Sequence, residues 1–374
     1  MERGNILTGN YAHAAVLVKT GEPLKIIDLK IPDLKPGQVL VKVAYSGVCH
    51  TQILEMDGKK GIDKFLPHTL GHEGSGIVIK TGVGVGKVKS GDHVVLSWIK
   101  GCGADIPSAV YESNFGPINS GAISTFLDYA IISENRLTPI KKEMPLKEAA
   151  LLGCAIPTGA GIVLNSIGLR PGNSIAIFGV GGIGASAVIA ADIMAAAKII
   201  AIDIFDHKLE HARTLGATHA INTRKQDCLS EIYQITDGKG VDYAIESAGK
   251  RETMEMAFRA VHDMGGLCVL AGNLPVGEQI SIDPFDLIKG KKIIGTWGGE
   301  TQPDRDIPLY VDLYIKGRLK LEKLITHNYS LDDINTAIED LKSGKVGRAL
   351  IDFQSNMTMI KKIRMKSKTS HQNQ

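Results

Sequence analysis

The sequence "SIAIFGVGGIGASAVIAA", residues 174–191, joins an apolar strand pattern to an alanine-rich helix pattern through a glycine turn. The turn contains Gly179, Gly181, Gly182, Ile183 and Gly184. Glycine permits a tight turn, lets a pyrophosphate approach the backbone and allows the helix to pack closely on the strand. The helix N-terminus then favours the phosphate charge. The stretch therefore predicts a strand–turn–helix unit that binds a dinucleotide.

Asp203 ends the next predicted strand, nineteen residues beyond Gly184. A carboxylate at this place accepts hydrogen bonds from the ribose hydroxyls of a dinucleotide. It would also repel the 2′-phosphate of NADP, so the sequence favours NAD. The alternative interpretation is a structural glycine turn followed by a solvated aspartate, and the strand and helix that flank the turn argue against it.

Short apolar segments alternate with helical segments from residue 174 to 297, as expected for a parallel sheet wound on both faces. Six strands are predicted, with the sequences SIAIFG, KIIAID, HAIN, VDYAIES, GLCVLAG and KIIGTW. Helices are predicted at residues 183–196, 206–215, 251–263 and 307–316. The predicted fold class of this part is α/β, with a doubly wound sheet of six strands.

Residues 13–99 have a β-like pattern instead. Segments such as AAVLVK, LKIIDLKI, GQVLVKVAYSGV and GHEGSGIVIKTG alternate or run apolar, with turn sequences between them. They predict an antiparallel, barrel-like unit. Residues 100–125 are rich in Gly, Ser, Asn and Pro and predict a long loop. The late strand in RALIDF is expected to rejoin this first unit.

The bulk composition narrows the class of partner. A length of 374 residues suggests two domains, and a net charge of +3 spread along the chain does not favour nucleic acid or an anionic membrane. Five cysteines without regular spacing do not indicate a disulfide framework. The N-terminal sequence MERGNILTGNYAHAAV lacks the apolar core of a signal peptide. We therefore expect a cytoplasmic protein with small-molecule partners.

Three residues that are far apart in the sequence form a candidate zinc site. Cys49 lies in SGVCHTQ, His72 in LGHEGSG and Cys154 in LLGCAIPTGAG. Catalytic zinc sites can gather distant ligands and keep one position open, whereas structural sites usually use close pairs. Two thiolates and a neutral imidazole also balance the charge of a dication. Each residue alone is more commonly a core cysteine or a hydrogen-bonded histidine, so the prediction rests on all three together.

Several motifs together resemble the zinc-dependent medium-chain alcohol dehydrogenase family. These are GVCHT, PHTLGHEGSGIV, GDHVV, LLGC, GVGGIG and GKVGRALIDF, and the resemblance runs from about residue 13 to 353. It implies a β-rich catalytic domain of GroES-like fold, residues 1–156 and 297–354, interrupted by a Rossmann domain, residues 157–296. It also implies an active site in the cleft between them and reversible hydride transfer between an alcohol and NAD.

The resemblance assigns roles to residues at matching positions. Cys49, His72 and Cys154 would bind one catalytic Zn²⁺, with Glu73 beside the metal as a transient ligand. Thr51 would take the proton of the alcohol. The other assignments are His50 and Arg348 near the pyrophosphate, Asp203 and Lys208 near the adenosine ribose, Thr158 and Ile183 against the nicotinamide, and Trp98 in the substrate pocket.

The sequence departs from the family at the lobe that holds a structural zinc. The family uses four cysteines there, whereas Cys102 of this chain is followed by Asp105, Ser108 and Gly116 at the matching offsets. Oxygen donors and a glycine do not replace a four-thiolate site. We therefore expect no second zinc ion.

Two further departures lie beside Cys49. Gln52 replaces the aspartate that orients the histidine ligand; a neutral amide could accept the same hydrogen bond but would raise the basicity of the imidazole less. Leu54 stands where some members have the histidine that ends a proton relay. The proton would then leave through the ribose hydroxyl and His50, or through water.

Other functions remain open at this point. A zinc polyol or sugar-alcohol dehydrogenase could use the same scaffold, although such members often have Glu in place of Cys154. A non-catalytic NAD-binding sensor is the alternative from another class. A zinc-free quinone reductase would lack both Cys49 and Cys154. The resemblance further implies a homodimer or homotetramer, and the basic tail, residues 355–374, is predicted to be disordered.

Overall fold

The computed structural model describes residues 10–121 and 123–354, which form two compact units. The first unit contains residues 10–58, 62–153 and 325–354, and the second contains residues 59–61 and 154–324. The chain therefore leaves the first unit after Gly153 and returns to it at Ile325.

The elements are named here in chain order. The strands are β1 (Tyr11–Leu17), β2 (Lys25–Lys30), β3 (Gln38–Val48), β4 (His68–Thr69), β5 (Glu73–Thr81), β6 (His93–Ser97), β7 (Val110–Ser113), β8 (Gly116–Asn119), β9 (Tyr129–Ser133), β10 (Leu137–Ile140), β11 (Ser174–Phe178), β12 (Lys198–Asp203), β13 (His219–Asn222), β14 (Tyr243–Glu246), β15 (Leu267–Leu270), β16 (Lys292–Gly295), β17 (His327–Tyr329) and β18 (Ala349–Asp352). The helices are α1 (His50–Met56), α2 (Leu146–Ala149), α3 (Ala155–Gly161), α4 (Gly182–Ile193), α5 (Asp206–Thr214), α6 (Cys228–Ile235), α7 (Arg251–Ala260), α8 (Pro284–Ile288), α9 (Pro303–Ile315) and α10 (Ile334–Lys342).

The first unit combines a barrel and a sheet. Five strands close the barrel in the order β1-β2-β7-β8-β4. The seven-stranded sheet runs β10-β6-β5-β3-β18-β17, with β9 also paired to β3. Most neighbours are antiparallel, whereas β4 pairs in parallel with β8 and β17 with β18. The barrel-like β unit expected from the sequence is present, and the late strand β18 does rejoin it.

The loop predicted for residues 100–125 is wrong in part, because β7 and β8 form a hairpin there. Tyr111 and Ile118 lie opposite each other in the hairpin, and both are fully buried in the core of the first unit. Each short strand contributes a single buried side chain of this kind. The surrounding Gly-, Ser- and Pro-rich composition therefore concealed the strand pattern.

Strand β3 places the first candidate ligand. It pairs with β5, β9 and β18, and its Val39, Val41 and Val43 are buried. Alternating β-branched residues suit such a heavily paired central strand. Cys49 follows the last residue of β3 and precedes α1. Its backbone is therefore held at the end of a strand that pairs with three others.

The second unit contains a sheet of six parallel strands in the order β13-β12-β11-β14-β15-β16. This is the strand order of a doubly wound Rossmann fold, in which the order reverses between the first and fourth strands. The predicted fold class and all six predicted strands are confirmed. The helices differ from prediction at their ends: α4 stops at Ile193 and α7 at Ala260.

The segment 297–324 packs with the second unit. The bounds expected from the sequence instead assign it to the β-rich domain. The hydroxyl of Thr301 donates to the carbonyl of Pro157 in α3 at 2.8 Å, which ties the segment that leads into α9 to the start of the second unit. The sequence could not indicate this packing, because Thr301 lies in the polar segment GGETQPDRD, 144 residues after Pro157, and no periodic pattern links the two.

None of the five cysteines forms a disulfide. Within the described ranges, no single helix is long and apolar enough to cross a membrane; only the bent pair Leu146–Gly153 and Ala155–Ser166 reaches that length and composition together. The basic tail, residues 355–374, lies outside the described residues.

Candidate metal and cofactor site

Four residues bring potential metal ligands together. One ligand atom from each of Cys49, His72, Glu73 and Cys154 lies within 4.8 Å of the other three. Cys49 and His72 are half-buried, whereas Glu73 and Cys154 are buried. The three ligands expected from the sequence therefore converge, and the carboxylate expected beside them joins the same cluster.

Glycines shape the backbone around this cluster. Gly71, which precedes His72, has a φ of +90°, and a Cβ there would collide with Thr125. Gly153, which precedes Cys154, leaves no room for a Cβ either, because one would lie 2.8 Å from the Cβ of Glu73. Both positions thus require glycine for close approach. The motifs LGHE and LLGC carry this requirement in the sequence.

Gln52 connects two of the clustered residues. Its Oε1 accepts a hydrogen bond from the backbone N–H of Cys49 at 2.9 Å, and its Nε2 faces Nδ1 of His72. The side chain is 1% exposed. The expectation that the amide oxygen accepts from the histidine is therefore wrong in this structure, because that oxygen is already bound to the backbone at the start of α1.

The environment of His72 favours its charged form. Burial acts to lower the pKa of His72, but the hydrogen bond with Cys49 and the negative charges of Cys49 and Glu73 outweigh it and raise the pKa. Such negative surroundings equally favour a bound cation. The cluster is thus suited electrostatically to a metal ion, which would take the place of that proton.

Glu73 and Arg348 form an ion pair between Oε1 and Nη2, and their side chains are 0% and 6% exposed. Burial raises the pKa of Glu73, and Arg348 opposes this rise. Gly47 makes room for the carboxylate, since a Cβ there would be 2.6 Å from Cδ of Glu73. The sequence predicted that Arg348 lies near a pyrophosphate and did not indicate this pair. The only signals in the sequence were the glycines before the two cysteines, Gly47 and Gly153, and the position of Arg348 directly before the apolar strand β18.

The remaining predicted residues of the first unit are neighbours in sequence of Cys49 or of a strand residue that pairs with Glu73. Thr51 lies with its Oγ1 3.7 Å from Sγ of Cys49, and His50 is the exposed first residue of α1. Trp98 follows Ser97, which pairs with Glu73 across β5 and β6. The backbone carbonyl of Trp98 accepts a hydrogen bond from Arg136. Thr51 therefore lies in contact with a residue of the cluster.

The glycine turn of the second unit lies between β11 and α4, as predicted. Gly179 has a φ of +82°, and a Cβ on Gly184 would collide with the carbonyl of Gly179. A Cβ on Gly181, in contrast, would meet no atom within 4 Å. Gly184 is therefore needed so that the helix can pack on the strand. The space next to the Cα of Gly181 is open to an approaching ligand.

Asp203 lies beside this turn. Its Oδ2 accepts from the backbone N–H of Val180 at 3.0 Å, and its Oδ1 accepts from that of Ile204 at 2.7 Å. The carboxylate is thus oriented by the turn itself. Lys208 lies one turn into α5, with its Nζ 5.0 Å from the ring centroid of Phe205.

Thr158 and Ile183 lie on two helices that pack together. Thr158 is buried in α3, and the adjacent Gly159 could not carry a Cβ without colliding with the carbonyl of Ile183 at the start of α4. The predicted nicotinamide residues are therefore held in the same part of the second unit as the glycine turn.

Comparison with known proteins agrees with this arrangement. The model of the alcohol dehydrogenase GroES-like domain matches residues 35–142, and that of the zinc-binding dehydrogenase matches residues 182–315. The S-(hydroxymethyl)glutathione dehydrogenase of Synechocystis sp. is 34% identical over 368 residues, covering 91% of this chain and 100% of the relative.

Solved structures resemble the chain over nearly its whole length. The benzyl alcohol dehydrogenase of Acinetobacter calcoaceticus is 34% identical with a TM-score of 0.84, covering 91% of this chain and 99% of that one. An alcohol dehydrogenase zinc-binding domain protein of Burkholderia ambifaria is 35% identical with a TM-score of 0.84, covering 91% and 98%.

The fold, the cluster of thiols with an imidazole and these similarities define an oxidoreductase of the zinc alcohol dehydrogenase type. The chain belongs to the medium-chain dehydrogenase/reductase family.

Proposed function

We propose that the protein oxidises an alcohol to an aldehyde or ketone with NAD, reversibly, at a zinc site formed by Cys49, His72 and Cys154. The observation that carries this proposal is the convergence of their ligand atoms with Glu73 within 4.8 Å. Two sulfurs and one imidazole nitrogen are donors that zinc prefers, and three protein ligands leave a position for substrate. Bound zinc would supply Lewis acidity towards the alcohol oxygen.

Residues of the first unit are suited to move the alcohol proton. Thr51 lies beside Cys49, and its hydroxyl can accept a proton from the substrate while donating its own. His50 follows Cys49 directly and is exposed, so it can pass the proton to water. Leu54 itself has no titratable group. We therefore assign the proton path to Thr51, then to the ribose hydroxyl of the cofactor and His50, or directly to water.

Glu73 is suited to a supporting role. Its carboxylate is fully buried and paired with Arg348, yet it belongs to the metal cluster. A buried carboxylate beside a cation contributes charge without needing to bind it at all times. We propose that Glu73 acts as a transient ligand and that Arg348 holds it when it is withdrawn.

The second unit is suited to hold the dinucleotide. We assign the pyrophosphate to the turn of Gly179, Gly181 and Gly182 and the ribose hydroxyls to Asp203, whose carboxylate is oriented by Val180. Arg348 and His50 would contact the phosphates as well, and Lys208 the ribose. NAD would supply the acceptor for hydride. The carboxylate of Asp203 supports the preference for NAD over NADP.

The decisive experiment removes one thiol. Cys49→Ala should abolish turnover and lower the zinc content while leaving NAD affinity within about twofold, because the nucleotide turn lies in the second unit. Cys102→Ser is the matched control, since this exposed cysteine lies outside the cluster. NADH absorbance, metal analysis and NAD titration check both. Retained turnover in the Cys49 variant would show that the zinc mechanism is wrong.

A substrate panel separates the remaining functions. Two relatives are named for S-(hydroxymethyl)glutathione and benzyl alcohol, so these compounds and simple primary and secondary alcohols form its first part. Polyols form the second part and test the sugar-alcohol alternative. Turnover of any alcohol with NAD contradicts a non-catalytic sensor. The thiol Cys154 in the cluster favours the alcohol over the polyol function.

We also propose that the chain forms a homodimer or homotetramer in the cytoplasm. β16 is the edge of the six-stranded sheet in the described chain, and its Ile294 is 41% exposed. Nearby in the sequence, Phe285, Ile288 and Trp297 are 59%, 76% and 75% exposed. An open edge with exposed apolar side chains favours association. Light scattering of the purified protein measures the subunit number.

A further inference from the structure

The Gln52 side chain has two hydrogen-bonding neighbours with different requirements. The backbone N–H of Cys49, at the start of α1, lies 2.9 Å from Oε1 of Gln52. The ring of His72 presents Nδ1 to the other end of the amide. The side chain is 1% exposed, so water has little access to either bond. Each end of the amide therefore needs a protein group of the right kind, a donor for its oxygen and an acceptor for its NH₂ group.

The chemistry of the backbone fixes the direction of this amide. A peptide N–H can only donate, so the atom that faces Cys49 must be the oxygen of Gln52. The NH₂ group then faces Nδ1 of His72 and donates to it. This arrangement suits the neutral ring, which accepts at Nδ1 and carries its proton on Nε2.

A bound metal requires the opposite arrangement. With Nδ1 directed at Gln52, Nε2 is the ring nitrogen left to bind a cation. The imidazole proton must then sit on Nδ1, where it meets the NH₂ group of the amide as a second donor. Turning the amide over removes this conflict but places the NH₂ group against the N–H of Cys49. A carboxylate has two acceptor oxygens and would satisfy both neighbours at once.

We infer that Gln52 is a positioning residue that weakens metal binding at this site, because its amide can accept a hydrogen bond from only one of Cys49 and metal-bound His72. This inference rests on the proposed zinc site and concerns its affinity. It makes zinc in this protein more easily lost than it would be from an otherwise identical site with a carboxylate at position 52. When zinc is lost and the ring is neutral, both ends of the amide are again satisfied.

Gln52→Glu tests the inference because it replaces NH₂ by oxygen with no change in shape. Outer partners of metal-bound histidine typically change metal affinity by about 10- to 100-fold, so the variant should bind zinc at least about tenfold more tightly. The purified full-length protein is stripped of metal, and zinc affinity is measured by competition with a chromophoric chelator. The thiolate absorption band of bound Co²⁺ confirms that both proteins use the same ligands.

A second measurement separates hydrogen-bond direction from the added charge. Long-range proton–nitrogen NMR of histidine-labelled, metal-free protein, recorded at a pH high enough for the ring to be neutral, should show the His72 proton on Nε2 in the wild type and on Nδ1 in Gln52→Glu. Equal or weaker zinc binding by the variant overturns the inference, as does a proton on Nδ1 in the metal-free wild type. The NMR result on the wild type remains available if the variant fails to fold. If neither protein binds zinc, the proposed zinc site is wrong and the inference falls with it.

Discussion

The guanidinium of Arg348 is ion-paired with the carboxylate of Glu73, and both side chains are almost completely buried. Residue 73 begins β5 and residue 348 precedes β18, and both strands pair with β3. The pair therefore joins two strands on opposite sides of β3. A charge buried in this way depends on its partner, since removal of one member leaves the other unpaired in a low-dielectric environment.

Arg348→Met should destabilise the protein by about 3–5 kcal/mol, because Glu73 would remain buried without its partner. Urea denaturation followed by circular dichroism measures the free energy of unfolding. Lys30→Met is the matched control: Lys30 is paired with Glu112 at 2.9 Å, but both side chains are more than half exposed. We expect little or no change in the control. Equal effects of the two variants would contradict the assigned importance of the buried pair.

Two glycines of the same turn should respond differently to alanine. Gly184→Ala should lower the melting temperature, because a Cβ there collides with the carbonyl of Gly179. Gly181→Ala should leave the melting temperature of the cofactor-free protein unchanged, since its Cβ meets no atom within 4 Å. It should nevertheless weaken NAD binding about tenfold or more by filling the space that a pyrophosphate needs. If the Gly181 variant bound NAD as tightly as the wild type, the turn would not be part of the NAD-binding site.

Asp203→Ser should relax the preference for NAD over NADP. A hydrogen bond to a charged group contributes about 1.5–3 kcal/mol, so the ratio of the two values of kcat/KM should fall by about 10- to 100-fold. Asp206→Asn provides the control, because Asp206 begins α5 and is bonded to Asn222 and Lys225. An unchanged ratio in the Asp203 variant would show that cofactor choice is made elsewhere.

Asp128 should make the stability of the protein depend on pH. Burial raises the pKa of Asp128 from 3.8 to about 6, and its carboxylate accepts from the backbone N–H of His13 at 2.8 Å. Between these two pKa values the folded state binds more protons at this site than the unfolded state, so stability falls as the pH rises through that range.

Asp128→Asn should remove this contribution while keeping an oxygen for the N–H of His13. Its stability relative to the wild type should therefore increase between pH 4 and pH 7, by up to about 3 kcal/mol. Unfolding in urea across this pH range measures the difference. Asp33→Asn, at an exposed position, should run parallel to the wild type. A parallel curve for Asp128→Asn would contradict the role of its burial.

The sequence predicted the parts of the molecule that depend on local pattern. The six apolar segments of the second unit became six parallel strands because each is flanked by helices that cover both faces of the sheet. The convergence of Cys49, His72 and Cys154 was predictable because the three together form a donor set suited to zinc and lie in motifs that resemble the alcohol dehydrogenase family.

The features that escaped prediction depend on contacts between residues that are distant in the sequence. Arg348 meets Glu73 only because β5 and β18 both pair with β3. The direction of the Gln52 amide follows from its bond to Cys49, which forms only when α1 starts at residue 50. Neither relationship leaves a periodic pattern of apolar residues, which is the main signal that a single sequence offers.

The return of β18 to the first unit has a consequence for biosynthesis. A ribosome releases the chain from its N-terminus, so β3 and Glu73 emerge long before the strand and the arginine that complete them. The second unit, residues 154–324, is synthesised in between and can fold first. A message that stops within the segment 325–348 would therefore yield a complete second unit and an unfinished β unit, a product that chaperones and proteases would recognise.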